Sequence, residues 1–334
     1  MKTGSLIIIL SIILLVSCTK QGNNVFLSDI KPVSGELVNV DCLIGKPYRL
    51  VFHDTLLFIC DPFDSKTLTV LDVRNNRCID RVLQTGSGPG EVSGSLRFSL
   101  SSIHKKLYVF QIQSGIFNTY NISDKSFPLV ESVHIVERPA NVVATAGALV
   151  GIGPFEKGRY HIYDRQGNFM NHAGTYPSEE ISKNAQARFF LYQGDLCSQP
   201  EGGYFSLGSS YSDNLEFYKI QNGQTELLKK YGARDVEAKF ENTVQLDDNC
   251  LLGYKSSYAT DKYCYMLYSG KTFAENNRRV SWGKNIFVFE WDGNFVKSFR
   301  LDHEVLAFAV DESNGIIYGV VLHDGEAAIM KFKT

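Results

Sequence analysis

Three arginines, Arg49, Arg97 and Arg188, each stand at the head of an apolar stretch. A guanidinium presents a planar fork of donors that matches a carboxylate or a phosphate, so arginines that converge would form an anion site. Tyr254, Tyr258, Tyr263, Phe273 and Trp282 cluster late in the chain and offer flat apolar surface to a sugar ring or a peptide side chain. The seven histidines are scattered, and only His303 falls near the head of a late apolar stretch. A lone histidine there is ordinarily a hydrogen-bonded structural group. No grouping of His, Cys, Asp and Glu has metal-ligand spacing, so neither a metal nor a cofactor is expected. Gly208-Ser209-Ser210 lacks a neighbouring His and Asp, and Glu179-Glu180 and Asp247-Asp248 sit in polar turns. These residue types point to binding rather than to a reaction.

The elements that must position them read as short alternating strands, over 56–60, 68–73, 106–112, 115–121, 160–164, 286–290 and 316–322. No amphipathic helix is expected. Val70-Leu71-Asp72, Thr119-Tyr120-Asn121, Ile162-Tyr163-Asp164, Phe217-Tyr218-Lys219, Val288-Phe289-Glu290 and Ile329-Met330-Lys331 form a faint repeat. Hairpin signals such as Arg165-Gln166-Gly167-Asn168, Asn222-Gly223 and Asp292-Gly293-Asn294 follow, each leading into one more strand. A period near 45 with four strands per unit is the signature of a β-propeller blade. Six units are expected: an all-β, six-bladed propeller of four-stranded antiparallel blades. The last unit offers three strands, and an orphan strand at 36–43 is expected to close the ring as its outer strand. The domain then spans 35–334, after a signal over 1–17 and a flexible tether over 18–34.

In such a blade the outer-to-inner and second-to-third loops share one face. Every long insertion falls there, at 85–95, 174–183, 232–249 and 271–284, and elaborated loops on one face mark the expected binding surface. Arg49, Arg97 and Arg188 are expected at the inner-strand entrances on that face, converging on a central channel. Glu91 and Glu180 are plausible partners for them. Gly86, Gly88, Pro89, Gly90 and Glu91 form a rigid corner between the first two blades, in which glycine and proline fix the shape. A phosphate-cradling loop would need a following Lys-Ser/Thr, which is missing.

Met1-Lys2 and an apolar run over 6–16 lead into Leu15-Val16-Ser17-Cys18, which reads as a secretory signal too short to span a bilayer. Those four residues resemble the bacterial lipobox, which implies lipid attachment at Cys18 and a membrane anchor. The side of the outer membrane facing the periplasm is favoured over the cell surface. Net charge is −2 and the export signal adds to it, so nucleic acid is excluded as a partner. Cys42, Cys60, Cys78, Cys197, Cys250 and Cys264 lie singly in strand-like text, and buried thiols are favoured over bridges.

The signal and lipobox, the Gly88-Pro89-Gly90-Glu91 corner, Tyr265-Met266-Leu267-Tyr268-Ser269-Gly270, and Ile286-Phe287-Val288-Phe289-Glu290-Trp291-Asp292-Gly293-Asn294 together resemble the TolB-like six-bladed propeller lipoproteins of Bacteroidetes-type bacteria. The resemblance implies an NHL-like fold and carries over no catalytic residue. The expected function is a membrane-anchored, non-enzymatic binding or scaffolding module. Its candidate ligand contacts are Arg49, Arg97, Arg188, Tyr258, Trp282 and His303, and its partner is a small molecule, glycan, peptide or envelope protein. The alternatives are a metal-assisted lyase or hydrolase in the central channel and a structural subunit of an envelope complex.

Overall fold

The computed structural model describes residues 26–334 apart from residue 63, 124–125, 178–183, 201, 241–242 and 280–281. Cys18 and Glu180 lie outside the described residues. Six antiparallel sheets form a ring. Their inner strands are Arg49–His53, Leu96–Ser101, Asn141–Ala144, Gly194–Ser198, Tyr254–Ala259 and Phe308–Asp311, one in each of blades 1 to 6. Each blade continues outwards in sequence order, and blade 6 takes its outer strand, Gly35–Leu37, from the N-terminal end.

The β-branched and aromatic runs that mark the strands are also what packs them, since the strands inside each blade are buried on both faces. Phe205 stacks on Tyr218 within blade 4, and Phe217 meets Phe289 across to blade 5, so apolar slabs fill the gaps between blades. Large buried rings such as Phe58, Phe110, Phe287 and Phe308 dominate those slabs.

The N-terminal segment does more than close the last blade. Phe26 inserts among Tyr231, Phe287, Phe289 and Phe295 at blades 4 and 5. Lys31–Val33 then adds a fifth, parallel strand to blade 5. Gly35–Leu37 pairs with the last strand of blade 6, and Val38 continues that pairing with one further bond to Ile329. Cys42 finally joins Cys78 on the outer strand of blade 1. The described residues from Phe26 to Ile30 thus already pack on the ring ahead of residue 35, and the closing strand is shorter than 36–43. The cysteines divide: one bridge forms where the strap crosses exposed surface, while Cys60, Cys197, Cys250 and Cys264 are buried free thiols.

Five blades bear the same irregularity. Ile79, Val130, Met170, Leu228 and Val296 are each left over where the outer strand pairs with its neighbour. An extra residue on the outer strand increases its twist and spoils it as a template for another chain. Apolar residues at these bulges face outwards without extending the sheet.

The long loops also depart from plain loop structure. Residues Ala185–Tyr192 form a helix in the crossover from blade 3 to blade 4, capped by Asn184, whose side chain accepts from the amide of Ala187 at 3.1 Å. Ala238–Phe240 and Val244–Leu246 form a hairpin in the crossover from blade 4 to blade 5. Tyr176, Leu191, Tyr192, Tyr211, Val236, Cys250 and Leu252 pack into a small separate core between them. The elaborated face is thus a rigid cap over blades 3 to 5, and Phe273 is part of its packing.

Candidate anion site at the channel mouth

Inner strands begin on the capped face, so their first residues ring the mouth of the central channel. Arg49 comes from blade 1, Arg97 from blade 2, Asn141 from blade 3, Asp195 from blade 4, and Lys255 and Ser256 from blade 5. With Tyr48, Gln193, Ser210 and Phe189 of the crossover helix they line a cavity of about 320 Å³.

The floor of this cavity is an ion pair that crosses the channel. Arg49 Nη1 lies 2.9 Å from Asp195 Oδ2, joining blades that face each other across the ring. Asp195 Oδ2 also accepts the amide and the hydroxyl of Ser257. Burial opposes the charge on Arg49, but Asp195 more than offsets it and raises the guanidinium pKa. Deeper down, Tyr258 makes a second tie. Its hydroxyl donates to the carbonyl of Phe52 at 3.2 Å and accepts the Phe52 amide at 3.1 Å. A further cavity of about 790 Å³ opens on the other face, lined by His53, Asp54, Asp261, Asp311 and Glu312 among others. The channel is therefore divided, with a basic mouth and an acidic one.

Arg97 differs from Arg49. Its hydrogen bond is to the carbonyl of Leu96, at 3.3 Å, and no carboxylate among the described residues pairs with it. Burial lowers its pKa, Asp195 opposes that shift, and the neighbouring charge of Arg49 reinforces it. Lys255 also lacks a carboxylate partner among the described residues. Its Nζ donates to the carbonyl of Ser210 at 2.8 Å and lies 5.7 Å from the centre of the Tyr211 ring. Burial pushes its pKa down to about 7. Two guanidiniums and the Lys255 amine thus meet one carboxylate among the described residues, and that carboxylate is already engaged by Arg49. Such a mouth attracts an anion.

The remaining expected contacts fall elsewhere. Arg188 sits on the crossover helix rather than at a strand entrance, because residues 185–192 turn as a helix before blade 4 begins. Its Nη2 donates to the carbonyls of Phe155 and Glu156, tying the helix to a blade 3 loop. Tyr258 lies in the channel below the mouth, since it is the fifth residue of its inner strand. Trp282 is half-buried at the entrance to the third strand of blade 5, with φ at 91°, and does not line the mouth. His303 is on the outer strand of blade 5, where it pairs with Asp302, which in turn receives the Gly35 amide. Tyr254 packs in the blade against Tyr268 and is fully buried, and Tyr263 lies on the second strand of its blade. Glu91 accepts from the amide of Gly88 at 2.8 Å, bracing its own corner instead of Arg97. That corner is closed by a bridge between Thr85 and Val92, and Gly90 takes a positive φ of 77°.

Asp195, Asn141 and Lys255 were not singled out by their types or spacing. The available signal was positional: each is the first polar residue of an inner strand, in register with Arg49 and Arg97. Among the described residues, one group of three potential metal ligands occurs, Asp41, Cys42 and Cys78, and two of these are joined as the disulfide.

Solved structures with this architecture share little sequence. A Bacteroides fragilis protein described as exported superposes with a TM-score of 0.56 at 11% identity, covering 90% of this chain and 94% of that one. A member of the DUF4221 family from Bacteroides vulgatus superposes with a TM-score of 0.51 at 10% identity, covering 90% and 98%. No curated protein matches the sequence. The sequence profile of the TolB-like 6-blade propeller-like proteins matches residues 27–313, and the chain belongs to that family.

Proposed function

We propose that this propeller is an exported, membrane-tethered binding module that takes a small anionic ligand at the capped mouth of its channel. The observation that carries the reading is Arg97, a guanidinium lining the mouth cavity without a carboxylate partner among the described residues, in the same cavity as Arg49 and Lys255. Arg97 supplies the fork for a carboxylate or phosphate. Asn141 and Gln193 offer neutral hydrogen bonds beside it, and Asp195 fixes Arg49 so that the floor stays in one shape. Export is supported by the apolar run ahead of Ser17-Cys18, and by the likeness to a protein described as exported; lipid attachment is assigned to Cys18.

Calorimetric titration with lactate, citrate and inorganic phosphate tests the site. Binding of at least one of these that weakens as salt rises and is lost in Arg97→Ala supports it. Binding unaffected by that substitution, or none to any of the three, overturns it. For the tether, Cys18→Ser is expected to shift the protein from the membrane fraction to the soluble one. Unchanged membrane association would overturn lipid attachment at that residue.

A further inference from the structure

Lys255 is the mouth residue that anion binding alone does not account for. An amine placed to hold an anion needs its full charge, whereas this one is half-buried and held by a backbone carbonyl and an aromatic ring. The residue whose carbonyl accepts from it, Ser210, lines the same cavity, so the amine is positioned at the cavity wall. Burial of the amine against these groups disfavours its protonation. At neutral pH about half of such amines carry a free lone pair, against fewer than about one in a thousand ordinary lysines.

We propose that Lys255 is a covalent capture group whose amine condenses with the carbonyl carbon of a small 2-oxo acid held by its carboxylate at Arg97. This rests on the anion-site reading above and specifies its ligand. The amine and the guanidinium share one cavity of about 320 Å³, which suits a ligand of a few carbons. In a 2-oxo acid the electrophilic carbon adjoins the anionic group, so one molecule serves both side chains. The nitrogen lone pair forms the C–N bond while the carbonyl π electrons move to oxygen, which takes up a proton as the nitrogen releases one. The resulting carbinolamine then loses its hydroxyl as water, leaving an imine. Amine and ketone are thus converted to imine and water, with no change of oxidation state and no further reactant. Asn141 and Gln193 are the neutral donors available to the carbinolamine oxygen.

The test is reductive trapping of the intact protein with pyruvate and cyanoborohydride at neutral pH, followed by peptide mapping. A carboxyethyl group concentrated on Lys255, at least tenfold above the exposed Lys262 and Lys297, and lost in Arg97→Ala, supports the proposal. No adduct, or one spread evenly over the lysines, overturns it. Lactate, which keeps the carboxylate and lacks the carbonyl, separates the two claims in a parallel titration. If lactate binding depends on Arg97 and pyruvate still fails to label Lys255, the capture step is wrong and the anion site stands. If lactate binding ignores Arg97, the anion site itself is wrong.

Discussion

At the scale of single residues, what matters is which charges have partners. Arg159 and Glu216 are both almost fully buried between blades 3 and 4, and their side chains meet at 2.9 Å. Burial would raise the Glu216 pKa, yet Arg159 and Lys230 together pull it below the usual range. The hydroxyls of Tyr160 and Tyr218 complete the cluster on the same carboxylate oxygen. Replacing Glu216 with Gln leaves a buried guanidinium without its counter-charge, and a loss of about 3–5 kcal/mol in denaturant unfolding is expected. Lys255 is the opposite case, an amine with no carboxylate partner among the described residues. Its folded-state pKa lies below the unfolded value, so the unfolded chain binds more protons between about pH 7 and pH 10.5. Stability contributed by Lys255 therefore rises with pH through that window. Buried thiols and tyrosines with raised pKa values act in the opposite direction at the alkaline end, among them Cys60 and Tyr160. The contribution must be read as the difference between wild type and Lys255→Met. That difference should move in favour of wild type by up to about 1 kcal/mol per pH unit between pH 8 and 9.5. A flat difference would show that the amine is not desolvated.

At the scale of elements, the strands were legible and the helix was not. Leu56–Cys60, Lys106–Gln111 and Ile316–His323 are short apolar runs buried at successive positions, and hairpin residues such as Asn222 and Gly223 take the positive φ values their turns require. Short β-branched and aromatic runs bounded by turn residues mark such strands. Ala185–Tyr192 is only eight residues long, with Leu191 and Tyr192 in the cap core and the half-buried Phe189 at the mouth, so no clean apolar stripe marks it. Its signal was Asn184 followed by Ala-Gln-Ala-Arg, a cap and good helix formers. Reading 174–183 as the whole insertion consequently placed Arg188 at a strand entrance it does not occupy. The helix carries Phe189 to the mouth cavity, which links its stability to the site. Asn184→Ala should cost about 1 kcal/mol of stability, read as a lower midpoint in chemical unfolding. An unchanged midpoint would mean that packing under the cap, and not the N-cap, holds the helix.

At the scale of the molecule, the ring is closed by a strap rather than by one strand. Phe26, Lys31–Val33, Gly35–Leu37 and Cys42 touch blades 4 and 5, then 5, 6 and 1 in turn, so one segment spans the seam between the last blade and the first. Closure by an N-terminal strand followed from the three-stranded last unit. The continuation onto blade 5 did not, because a three-residue strand in Lys-Pro-Val carries no periodicity. The bridge fastens the far end of the strap. Replacing both Cys42 and Cys78 with Ser should lower stability by about 2–4 kcal/mol without changing the fold, seen as an earlier thermal transition with an unchanged circular dichroism spectrum. Equal stability would mean that strand pairing alone holds the seam.

The ring also brings the mouth together, since Arg49, Arg97, Asn141, Asp195 and Lys255 come from five different blades. Residue types alone identified two of these five; the others depend on inner-strand register, which exists only once the ring is closed. The account rests on that mouth being an anion site in which Asp195, its one carboxylate among the described residues, opposes the ligand. The most direct measurement is the dissociation constant of lactate for wild type, Arg97→Ala and Asp195→Asn under one set of conditions. Loss of the Arg97 fork should weaken binding by about ten- to a hundredfold, from a charge-assisted hydrogen bond of about 1.5–3 kcal/mol. Loss of the Asp195 charge should tighten binding while lowering stability, because Arg49 is released from its partner. Two variants that bind as wild type does, or that shift in the same direction, would contradict the account.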